Sequence, residues 1–536
     1  MSDVNDLNNQ AGSVAVARAA AWIAQAAPGA ALASDSRRVR PGDVFFAYPG
    51  EAGEAGDGRR FIAQAIGQGA GAVVYEAGDD KDNFAWDAAW TVPHLAVAGL
   101  KPQAGPIAHA VHGAPDAAMF TVGVTGTNGK TSCAVWLGQA LARLGETAAV
   151  IGTLGVGVFK SQSQGQGQGS EAEYDVTGYT TPDAVLLAQT LAQLRDASAT
   201  SLAIEVSSIG LEQGRTSGMH FDVALFTNLT RDHLDYHGTM ECYEAAKTKL
   251  FEWPGLKTAV LNLDDPAGLR LVTHLQHVRS GLPLVGYTLQ DAAAMPAPAG
   301  VAMLRASQLR SRHAGTDFHL ESPHGAATVK TQLVGHFNVS NALAVLGALL
   351  AKGVALRAAV DAIEALAPAP GRMQQVGGQD APMVVIDYAH TPDALQKTLD
   401  ALRQVAKDRN GQLWCVFGCG GDRDPGKRPQ MGAIAQSADH VLVTSDNPRS
   451  EDPAAIIEQI VAGMDAARPN SRFLAIPDRA AAILSAIKHA GKPDVILLAG
   501  KGHEPYQEIK GRKMPFSDAD HAALALAARV TMMRTN

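Results

Sequence analysis

The stretch that decides the fold of the middle of the chain is Thr121-Val-Gly-Val-Thr-Gly-Thr-Asn-Gly-Lys-Thr131. An apolar run typical of a β-strand ends in a glycine-rich turn, and a helix is predicted from Ala134 to Leu144. Glycines allow backbone N–H groups to close on phosphate oxygens, and the N-terminus of the helix adds its partial positive charge. The stretch therefore predicts a strand, a loop and a helix that bind nucleotide phosphates.

The side chains of this loop indicate how the phosphates are held. The strict pattern G-x-x-x-x-G-K-[ST] fails, because Val124 stands where its first glycine should be. Lys130 is still expected to reach the β- and γ-phosphates, and the hydroxyl of Thr131 or Ser132 is expected to hold Mg²⁺. An ordinary strand–turn–helix with a surface lysine is the less favoured alternative.

Length and composition limit the possible classes of protein. A chain of 536 residues predicts three or four domains, and 46% hydrophobic with 18% charged residues is typical of a globular protein. The net charge of -8 argues against nucleic-acid binding through a basic surface. The four cysteines form no zinc or disulfide pattern and are expected to be buried, reduced thiols. No secretory signal is visible in Met1–Gln10, and the apolar run Ala342–Ala351 is too short to span a bilayer. We expect a cytoplasmic monomer.

The order of strand-like and helix-like runs predicts an α/β protein of three domains. Residues 1–115 form a small α/β segment, residues 116–368 carry the phosphate loop, and residues 369–536 form a third segment. Alternating strands and helices in the second segment predict a mostly parallel sheet that is covered on both faces. Its strands after the loop are predicted at Thr147–Gly152, Ser201–Val206, Val223–Thr227 and Lys257–Leu263. A glutamine- and glycine-rich insert, residues 161–169, is predicted to be an exposed loop without chemistry.

The third segment repeats one pattern four times, a short apolar strand followed by glycines and polar residues. These strands are predicted at Met383–Ile386, Leu413–Phe417, His440–Thr444 and Val495–Leu498. Because ligands bind outside the carboxyl ends of strands in open α/β sheets, the four polar clusters are expected to form one site. The clusters contain Asp387 and His390, Arg423, Asp446–Arg449, and Gly500–Glu504.

Polar side chains also follow strands of the second segment. Glu205 ends an apolar run, where a carboxylate can hold Mg²⁺, although a solvent-exposed glutamate explains it equally well. The stretch Thr227–His237 contains two aspartates and two histidines, and this density suggests a metal or phosphate site. Tyr243–Phe251 is predicted to be a helix, on which Lys247 and Lys249 cannot share a face. From the residues alone, both lysines are expected to be exposed.

Two short polar stretches are candidate ligand contacts with open alternatives. Ser34, Ser36 and Arg37 can hold a polar ligand, but a capped turn explains them equally well. Asp446-Asn-Pro-Arg449 offers a carboxylate, an amide and a guanidinium within four residues. This set suits a zwitterionic ligand, because arginine binds a carboxylate bidentately and an acid attracts an ammonium group. A turn that starts a helix is the alternative there.

Taken together, these motifs resemble those of the Mur ligases, and among them the MurE type, over nearly the whole length. The motifs are T-G-T-N-G-K-T, E-V-S-S, T-N-L-T-R-D-H-L-D-Y-H-G, Y-E-A-A-K, G-H-F-N-V-S-N, D-Y-A-H-T-P, G-C-G-G-D-R-D, D-N-P-R and G-K-G-H-E. The resemblance implies a domain for a UDP-linked substrate, a central phosphate-loop ATPase domain, and a C-terminal Rossmann-like domain for an incoming amino acid. It also implies an ATP-dependent, ADP-forming amide ligase of peptidoglycan precursor synthesis.

Carried over motif by motif, the resemblance implies roles for individual residues. The residues implied for ATP are Gly126, Thr127, Asn128, Gly129, Lys130, Thr131, Ser132, Asn341 and Arg372. Those implied for UDP-N-acetylmuramoyl-L-alanyl-D-glutamate are Ser34, Ser36, Thr180, Thr181, Ser207, Gln213 and Arg215. Those implied for the amino acid are Arg423, Asp446, Asn447, Pro448, Arg449, Gly500 and Glu504. Those implied for Mg²⁺ are Thr131, Glu205, His233 and Lys247.

The resemblance changes the interpretation of Lys247 and suggests the amino acid. In the family this lysine is carboxylated by CO₂, and the carbamate gives Mg²⁺ an oxygen ligand that free lysine lacks. Only a neutral amine attacks CO₂, and a free lysine has a pKa of about 10.4, so a lowered pKa or capture by the metal must assist. The motif D-N-P-R goes with meso-2,6-diaminopimelate, whose distal carboxylate Arg449 would bind.

The implied reaction starts with phosphorylation of the D-Glu γ-carboxylate by ATP, and the amine of diaminopimelate then attacks the acyl phosphate. Asp387 is expected to position its region, and His390 is a candidate base for the proton of the amine. The loop Pro49–Gly58 is longer than the family pattern, which leaves its substrate contacts open. The alternatives are a lysine-adding or folylpolyglutamate-synthetase-like ligase and, more distantly, a phosphate-loop ATPase without a covalent product.

Overall fold

The computed structural model describes residues 2–50, 56–78, 84–160, 172–312, 315–377, 381–465 and 472–534. The glutamine- and glycine-rich insert and residues 51–55 of the long loop therefore lie outside the described residues. The chain forms separate sheets in its first, second and third segments, and the predicted α/β class is confirmed. The domain boundaries at residues 115 and 368 stay a prediction.

The first segment forms a parallel sheet of four strands in the order β1-β2-β3-β4. Its elements are α1 (Ser2–Ala26), β1 (Leu32–Ala33), β2 (Val44–Ala47), α2 (Ile62–Gly67), β3 (Ala72–Glu76), β4 (His94–Val97) and α3 (Leu100–Val111), with 3-10 turns at Ser36–Arg38 and Gly58–Phe61. Helices α1 and α3 bury apolar side chains against this sheet, among them Ile23 and Ile107.

The second segment forms a sheet of eleven strands in the order β15-β14-β13-β12-β11-β10-β5-β9-β6-β7-β8. Its elements are β5 (Phe120–Thr125), α4 (Lys130–Arg143), β6 (Ala148–Gly152), β7 (Gly155–Phe159), β8 (Tyr174–Asp175), α5 (Ala184–Asp196), β9 (Ser201–Glu205), α6 (Ser208–Glu212), β10 (Val223–Phe226), α7 (Leu234–His237), α8 (Met240–Thr248), β11 (Thr258–Asn262), α9 (Pro266–Val278), β12 (Leu284–Thr288), β13 (Val301–Arg312), β14 (Gly315–Ser322), β15 (Gly325–Thr331), α10 (His336–Ala351) and α11 (Leu356–Glu364). Strands β6 and β9 to β13 run parallel to β5, as predicted, and antiparallel strands extend both ends.

Strand β5 lies in the interior of this sheet, which explains why the phosphate loop occupies its centre. Val122 and Val124 are buried in a core that includes Trp136 of α4 and Leu346 of α10. The opposite face of the sheet packs against α5 and α9, so both faces are covered by helices, as predicted. Burying each large apolar side chain contributes roughly 1.5–3 kcal/mol, so the strand that carries the loop is held rigidly.

The third segment forms a six-stranded sheet in the order β16-β17-β21-β18-β19-β20 and a small hairpin. Its elements are β16 (Gln374–Gly377), β17 (Met383–Asp387), α12 (Pro392–Asp408), β18 (Leu413–Phe417), α13 (Lys427–Ala435), β19 (His440–Val443), α14 (Pro453–Val461), β20 (Arg472–Ala475), α15 (Arg479–His489), β21 (Val495–Ala499), β22 (Tyr506–Ile509), β23 (Arg512–Pro515) and α16 (Asp518–Arg534). The four predicted strands are β17, β21, β18 and β19, and they are parallel neighbours. Their carboxyl ends therefore share one edge, as predicted.

Two local expectations need correction, those for Lys247 and Cys242. From the residues alone Lys247 is expected to be exposed, but only 3% of it is exposed, because its side chain reaches from α8 to Gly126 of the phosphate loop. Lys249 is exposed, and its Nζ lies 2.5 Å from Glu212 Oε1. Cys242 is exposed, unlike the other three cysteines, so the expectation of buried thiols is wrong there. No helix in the described part of the chain combines the length and apolar character needed to cross a membrane.

Candidate active site

The phosphate loop joins β5 to α4, and two of its glycines are required by close packing. Gly126 has a φ of +143°, and a Cβ at this position would lie 1.9 Å from Thr227 Oγ1. Gly129 has a φ of +86°, and a Cβ there would lie 2.7 Å from Asn341 Oδ1. Only glycine tolerates both the conformation and the approach. The structure thus places Asn341 of α10 directly against the loop.

Lys130 is the first residue of α4, and its side chain bends back over the loop. Its Nζ donates hydrogen bonds to the carbonyl oxygens of Gly126 and Thr127, each at 2.8 Å. Burial lowers the pKa of Lys130, while the negative charges of Glu205 and Asp232 oppose this effect. A half-buried ammonium group over a loop of backbone N–H groups is arranged to receive an anion.

Glu205 ends β9 and is buried beside the first turn of α4. Its Oε2 accepts a hydrogen bond from Thr131 Oγ1 at 3.0 Å and from Thr153 Oγ1 at 3.2 Å, and its Oε1 accepts one from the Thr153 N–H at 2.8 Å. A Cβ on Gly152 would lie 2.1 Å from Oε1, so glycine is needed there. Ser132 is buried next to Thr131. The open alternative of a solvent-exposed Glu205 is therefore wrong.

Lys247 approaches the same loop from α8. Its Nζ donates to the carbonyl oxygen of Gly126 at 3.0 Å and lies 4.2 Å from the centre of the Tyr243 ring. Burial, and then the positive charge of Lys130, hold the pKa of Lys247 well below its usual value. The carbonyl oxygen of Gly126 therefore accepts a hydrogen bond from each of the two lysines. The lowered pKa shifts the Lys247 amine toward its neutral form.

His233 and Asp232 follow β10 and complete this end of the site. His233 has a φ of +52°, and its Nε2 lies 3.5 Å from Asp232 Oδ2. Burial lowers the pKa of His233, and Asp232 opposes the shift. The charge of Asp232 also acts on Lys130, Lys247 and His390, which places this carboxylate among them. Asp232 and His233 therefore lie close enough to the loop for their charges to act on its lysines, and a metal or phosphate role for this stretch stays a prediction.

Two hydrogen bonds join the loop to the third segment. Arg372 Nη2 donates to Thr131 Oγ1 at 3.1 Å, and its guanidinium lies 4.4 Å from the centre of the Tyr388 ring. Asn128 Nδ2 donates to Asp393 Oδ2 at the start of α12, at 3.2 Å. Within the described residues, the buried Nε of Arg372 has no hydrogen-bond partner. Arg372 therefore lies beside the phosphate loop, and its contact with the nucleotide stays a prediction.

Asp387 and His390 follow β17, and neither has the environment of a general base. Asp387 Oδ2 accepts the backbone N–H of Met373 at 2.8 Å, which fixes the residue next to Arg372. Burial raises the pKa of Asp387, and Arg372 opposes the rise. His390 Nδ1 lies 2.7 Å from the carbonyl oxygen of Tyr388, and burial lowers the pKa of this imidazole to about 4. The geometry therefore supports the positioning role of Asp387 and argues against His390 as a base.

The serines of the first segment lie in different surroundings. Ser34 Oγ donates to Asp183 Oδ1 at 2.7 Å, and Asp183 is the N-cap of α5 in the second segment. Ser36 is buried, and its Oγ donates to Gln64 Oε1 at 3.2 Å within the first segment. Burial raises the pKa of Tyr48, which also neighbours Asp183. The structure therefore brings Ser34, but not Ser36, into contact with the second segment.

The predicted dipeptide residues of the second segment form one hydrogen-bonded group. Thr181 Oγ1 lies 3.2 Å from Ser207 Oγ and donates to the carbonyl oxygen of Glu205 at 2.9 Å. Arg215 Nη1 donates to the Thr181 carbonyl oxygen at 2.9 Å, and Arg215 Nε donates to Gln213 Oε1 at 2.8 Å. The group lies beside the carboxylate that contacts the phosphate loop.

Thr180 connects this group to the phosphate end of the site. Its Oγ1 lies 3.2 Å from Thr153 Oγ1, which itself donates to Glu205. A short path of hydroxyl and carboxylate groups therefore runs from Thr180 through Glu205 to Thr131. The predicted dipeptide residues are therefore connected to the phosphate loop by hydrogen bonds.

At the carboxyl ends of β19 and β21, the third segment holds a compact acidic cluster. Asp446 and Asn447 are buried, and Asn447 Nδ2 donates to Glu504 Oε2 at 2.7 Å. A Cβ on Gly500 would lie 2.5 Å from Asp446 Oδ2, so this glycine permits the approach of the carboxylate. The ammonium group of Lys501 lies among these side chains. Two of the four predicted clusters, Asp446–Arg449 and Gly500–Glu504, are therefore in contact at this sheet edge, and the single site stays a prediction.

Arg449 borders this cluster, whereas Arg423 lies farther out. Arg449 Nη1 donates to the Gly421 carbonyl oxygen at 2.7 Å, and its Nε lies 3.6 Å from Glu508 Oε2. Pro448, which precedes it, is buried. Arg423 is exposed on the loop after β18, where its Nη1 donates to a backbone carbonyl. Arg449 is thus partly committed to protein acceptors and Arg423 is available to solvent.

Two of the four side chains that were predicted for Mg²⁺, Thr131 and Glu205, offer suitable oxygen donors. Among the described residues, no three His, Cys, Asp or Glu side chains converge as a metal-binding group. The Thr131 hydroxyl and the Glu205 carboxylate lie 3.0 Å apart at the loop. Because Mg²⁺ usually keeps several waters and uses one or two protein oxygens with substrate phosphates, this pair fits it. The chemistry of the donor set therefore agrees with a phosphate-bound Mg²⁺.

Comparison with known proteins places the chain in a family. The sequence model described as "Mur ligase middle domain" matches residues 124–349, and the one described as "Mur ligase, glutamate ligase domain" matches residues 371–502. A UDP-N-acetylmuramoyl-L-alanyl-D-glutamate–2,6-diaminopimelate ligase of Janthinobacterium sp. (strain Marseille) is 62% identical over 95% of this chain and 96% of that protein. The chain belongs to the Mur ligase family. This result confirms the resemblance read from the motifs.

Two further relatives of this Mur ligase cover almost its whole length. A protein of the same name from Pseudomonas aeruginosa is 48% identical over 93% of this chain and 95% of its own. A solved structure of a UDP-N-acetylmuramoyl-L-alanyl-D-glutamate–2,6-diaminopimelate ligase is 35% identical, covers 93% of this chain and 95% of its own, and superposes with a TM-score of 0.64. The α/β architecture of the chain is therefore that of the family.

Sequence reasoning missed several side chains that the structure places in this Mur ligase site. They are Thr153, Asp183, Asp393 and Lys501. Thr153 and Asp183 stand in turns without a distinctive spacing, so the sequence carried no signal for them. Lys501 stood inside the quoted G-K-G-H-E motif, and its position directly after an apolar strand could have identified it.

Proposed function

We propose that this Mur ligase joins meso-2,6-diaminopimelate to the D-Glu γ-carboxylate of UDP-N-acetylmuramoyl-L-alanyl-D-glutamate at the expense of ATP. Relatives that carry the corresponding name are 62% and 48% identical over at least 93% of the chain. The observation that carries the mechanism is the hydrogen bond from Arg372 to Thr131, which links the sheet of the acidic cluster to the phosphate loop. We propose the three domains and site roles expected from the sequence on the same basis.

In the first step, a γ-carboxylate oxygen of D-Glu attacks the γ-phosphorus of ATP, and ADP leaves. The loop N–H groups and Lys130 stabilise the negative charge of the transferred phosphoryl group. Lys130 now donates to two loop carbonyl oxygens, and a phosphate would offer it a better acceptor. Thr180, Thr181 and Arg215 lie where they can orient the dipeptide toward Thr131.

We propose that Thr131 and Glu205 hold Mg²⁺. We add His233 and Lys247 to this set, because they lie near the same loop. When bound, Mg²⁺ neutralises phosphate charge and orients the phosphoryl group. Lys247 cannot ligate a cation as an ammonium group, so we propose that it carries a CO₂-derived carbamate. Burial lowers the pKa of its amine, which supports this proposal, because only the neutral form attacks CO₂.

In the second step, the neutral amine of diaminopimelate attacks the acyl phosphate, an amide forms, and phosphate leaves with the bond electrons. Arg449 would bind the distal carboxylate, and Asp446 with Glu504 would attract the remaining ammonium group. The proton of the attacking amine passes to solvent or to the departing phosphate, because a His390 with a pKa of about 4 is too weak a base.

An ADP-release assay tests this function. The protein is given ATP and Mg²⁺ with neither acceptor, with each acceptor alone, and with UDP-dipeptide plus either diaminopimelate or lysine. Full turnover is expected only with UDP-dipeptide and diaminopimelate together, and mass spectrometry should find the UDP-tripeptide. Preferred use of lysine would assign the lysine-adding reaction, whereas turnover that ignores both acceptors would assign a simple ATPase.

A further inference from the structure

Lys501 is the residue of the acidic cluster to which neither the sequence motifs nor the reaction above gives a role. It follows β21 and is fully buried. Its Nζ donates to Asn447 Oδ1 at 3.2 Å and to Glu504 Oε2 at 3.1 Å, and it lies 3.7 Å from Asp446 Oδ1. A buried ammonium group is costly unless it is paired, and here it pairs with three side chains at once.

The contacts of Asn447 show that Lys501 also fixes the orientation of an amide. Asn447 Oδ1 accepts from Lys501 and from the Glu508 N–H at 2.9 Å, while Nδ2 donates to Glu504 Oε2. Without Lys501, one of the two donors to Oδ1 is lost, and Glu504 keeps only the amide. The side chains that face the amino-acid site are therefore aligned through one buried cation.

The charges behind the cluster do not balance without a further cation. Arg479 is buried and donates through Nε to Asp518 Oδ1 at 2.8 Å and through Nη2 to Asp518 Oδ2 at 2.6 Å, so these two charges neutralise each other. Lys501 then stands as one cation against Asp446 and Glu504. One negative charge is therefore left uncompensated. It lies at the site that would receive the ammonium group of the amino-acid substrate.

Asp446 is the titratable group most sensitive to this arrangement. Burial raises its pKa, and Arg479 and Lys501 oppose the rise, whereas Glu504 and Asp518 add to it. Further titratable neighbours are the Tyr388 hydroxyl and the Cys419 thiol, whose pKa values are raised by burial, and the His503 imidazole, whose pKa burial lowers to about 4. The Tyr506 ring lies 5.8 Å from Lys501 Nζ, and the charge of Arg372 acts on Tyr388 and His503. Lys501 is therefore a cation that lies 3.7 Å from Asp446, opposes the rise in its pKa and is not already paired with Asp518.

We propose that Lys501 is a positioning residue, whose buried ammonium group holds Asp446, Asn447 and Glu504 in one array with a single uncompensated negative charge. A substrate ammonium group completes the charge balance of this array. This inference rests on the proposed function, because diaminopimelate is the ammonium-bearing substrate. Lys501 does not touch the reacting atoms and acts through the carboxylates that it aligns.

The test compares Lys501→Met with the control Lys488→Met. Lys488 is an exposed lysine on α15, a helix of the third segment. The KM for diaminopimelate and the KM for ATP are measured from pH 6.5 to 8.5 and divided by the wild-type values at each pH. In Lys501→Met, the side chains of Asn447 and Glu504 lose the hydrogen bonds that align them, and we expect this loss to raise the KM ratio for diaminopimelate roughly tenfold or more at pH 6.5. At that pH one of the two neighbouring carboxylates of Asp446 and Glu504 takes up a proton, so the net charge equals that of the wild type. As the pH rises both carboxylates ionise, and the added negative charge attracts the substrate ammonium group, so the KM ratio should fall. The ratio for ATP and both ratios for Lys488→Met should stay near one.

A double variant separates charge balance from simple loss of packing. Lys501→Met with Glu504→Gln removes one positive and one negative charge, so the KM ratio for diaminopimelate should stay high but lose its pH dependence. If Lys501→Met does not fold, the double variant should still fold, and its failure to do so would overturn the inference. A pH-independent ratio for Lys501→Met would also overturn it. Wild-type protein without diaminopimelate-dependent ADP release would instead refute the proposed function, and the inference with it.

Discussion

Arg449 is expected to decide between diaminopimelate and lysine, and Arg449→Ala measures its contribution. In the structure its Nη1 donates to the Gly421 carbonyl oxygen at 2.7 Å, and its Nε lies 3.6 Å from Glu508 Oε2. The guanidinium is thus oriented by the protein and keeps donors for a ligand, since arginine has five N–H groups. Arg449 has a φ of +50°, which alanine also has to adopt, so the backbone strain is similar in both proteins.

The size of the effect follows from the hydrogen bonds at stake. A hydrogen bond to a charged group contributes about 1.5–3 kcal/mol, and each 1.4 kcal/mol is about tenfold in affinity. Arg449→Ala should therefore raise the KM for diaminopimelate about 10- to 100-fold. The KM for ATP should change little, because the nucleotide loop contacts the third segment through Arg372 and Asp393 instead.

The assay is ADP release with one substrate varied at a time. Arg512→Ala, which changes an exposed arginine of β23, is the matched control and should leave both KM values unchanged. The turnover of the variant with lysine should not fall, because lysine has no distal carboxylate to lose a contact. An equal rise of the KM for ATP and for diaminopimelate would refute the assignment of Arg449 to amino-acid recognition.

Two further predictions concern the buried Lys247 and the half-buried His220. Lys247→Met should lower the rate of ADP release about 10- to 100-fold and raise the Mg²⁺ concentration needed for the half-maximal rate. The control Lys249→Met, which changes an exposed lysine on the same part of the chain, should do neither. A normal Mg²⁺ dependence in Lys247→Met would refute a carbamate ligand. His220 lies between Asp116 and Asp222, whose hydrogen bonds raise its pKa from 6.5 to about 9. The folded state therefore binds this proton more tightly than the unfolded state, so its stabilising contribution is complete below pH 6.5 and is lost between about pH 6.5 and 9. Thermal unfolding of His220→Gln should show a smaller drop in Tm over this range than the wild type, and an equal drop would contradict the reasoning.

The contrast between Lys130 and Lys247 shows which side-chain positions can be predicted from local sequence patterns. Lys130 stands in a local pattern of strand, glycine turn and helix, and its position over the loop follows from neighbours within a few residues. Lys247 lies on an ordinary amphipathic helix, and the residue pattern alone predicts that it is exposed to solvent. Its burial depends on the packing of α8 against the loop of a strand that precedes it by more than 100 residues, a contact that no local pattern encodes.

By itself, the sequence determined the α/β class, the centre of the phosphate site and the sheet edge that carries the acidic cluster. These features depend on the period of apolar residues and on glycines at fixed positions, which are local properties. The tertiary structure alone decided that Arg372 contacts Thr131, that Ser34 rather than Ser36 reaches the second segment, and that Lys501 is buried among Asp446, Asn447 and Glu504. The physical reason is that burial, hydrogen bonds and charge pairing are set by residues far apart in the chain, and they appear only when the sheets pack together.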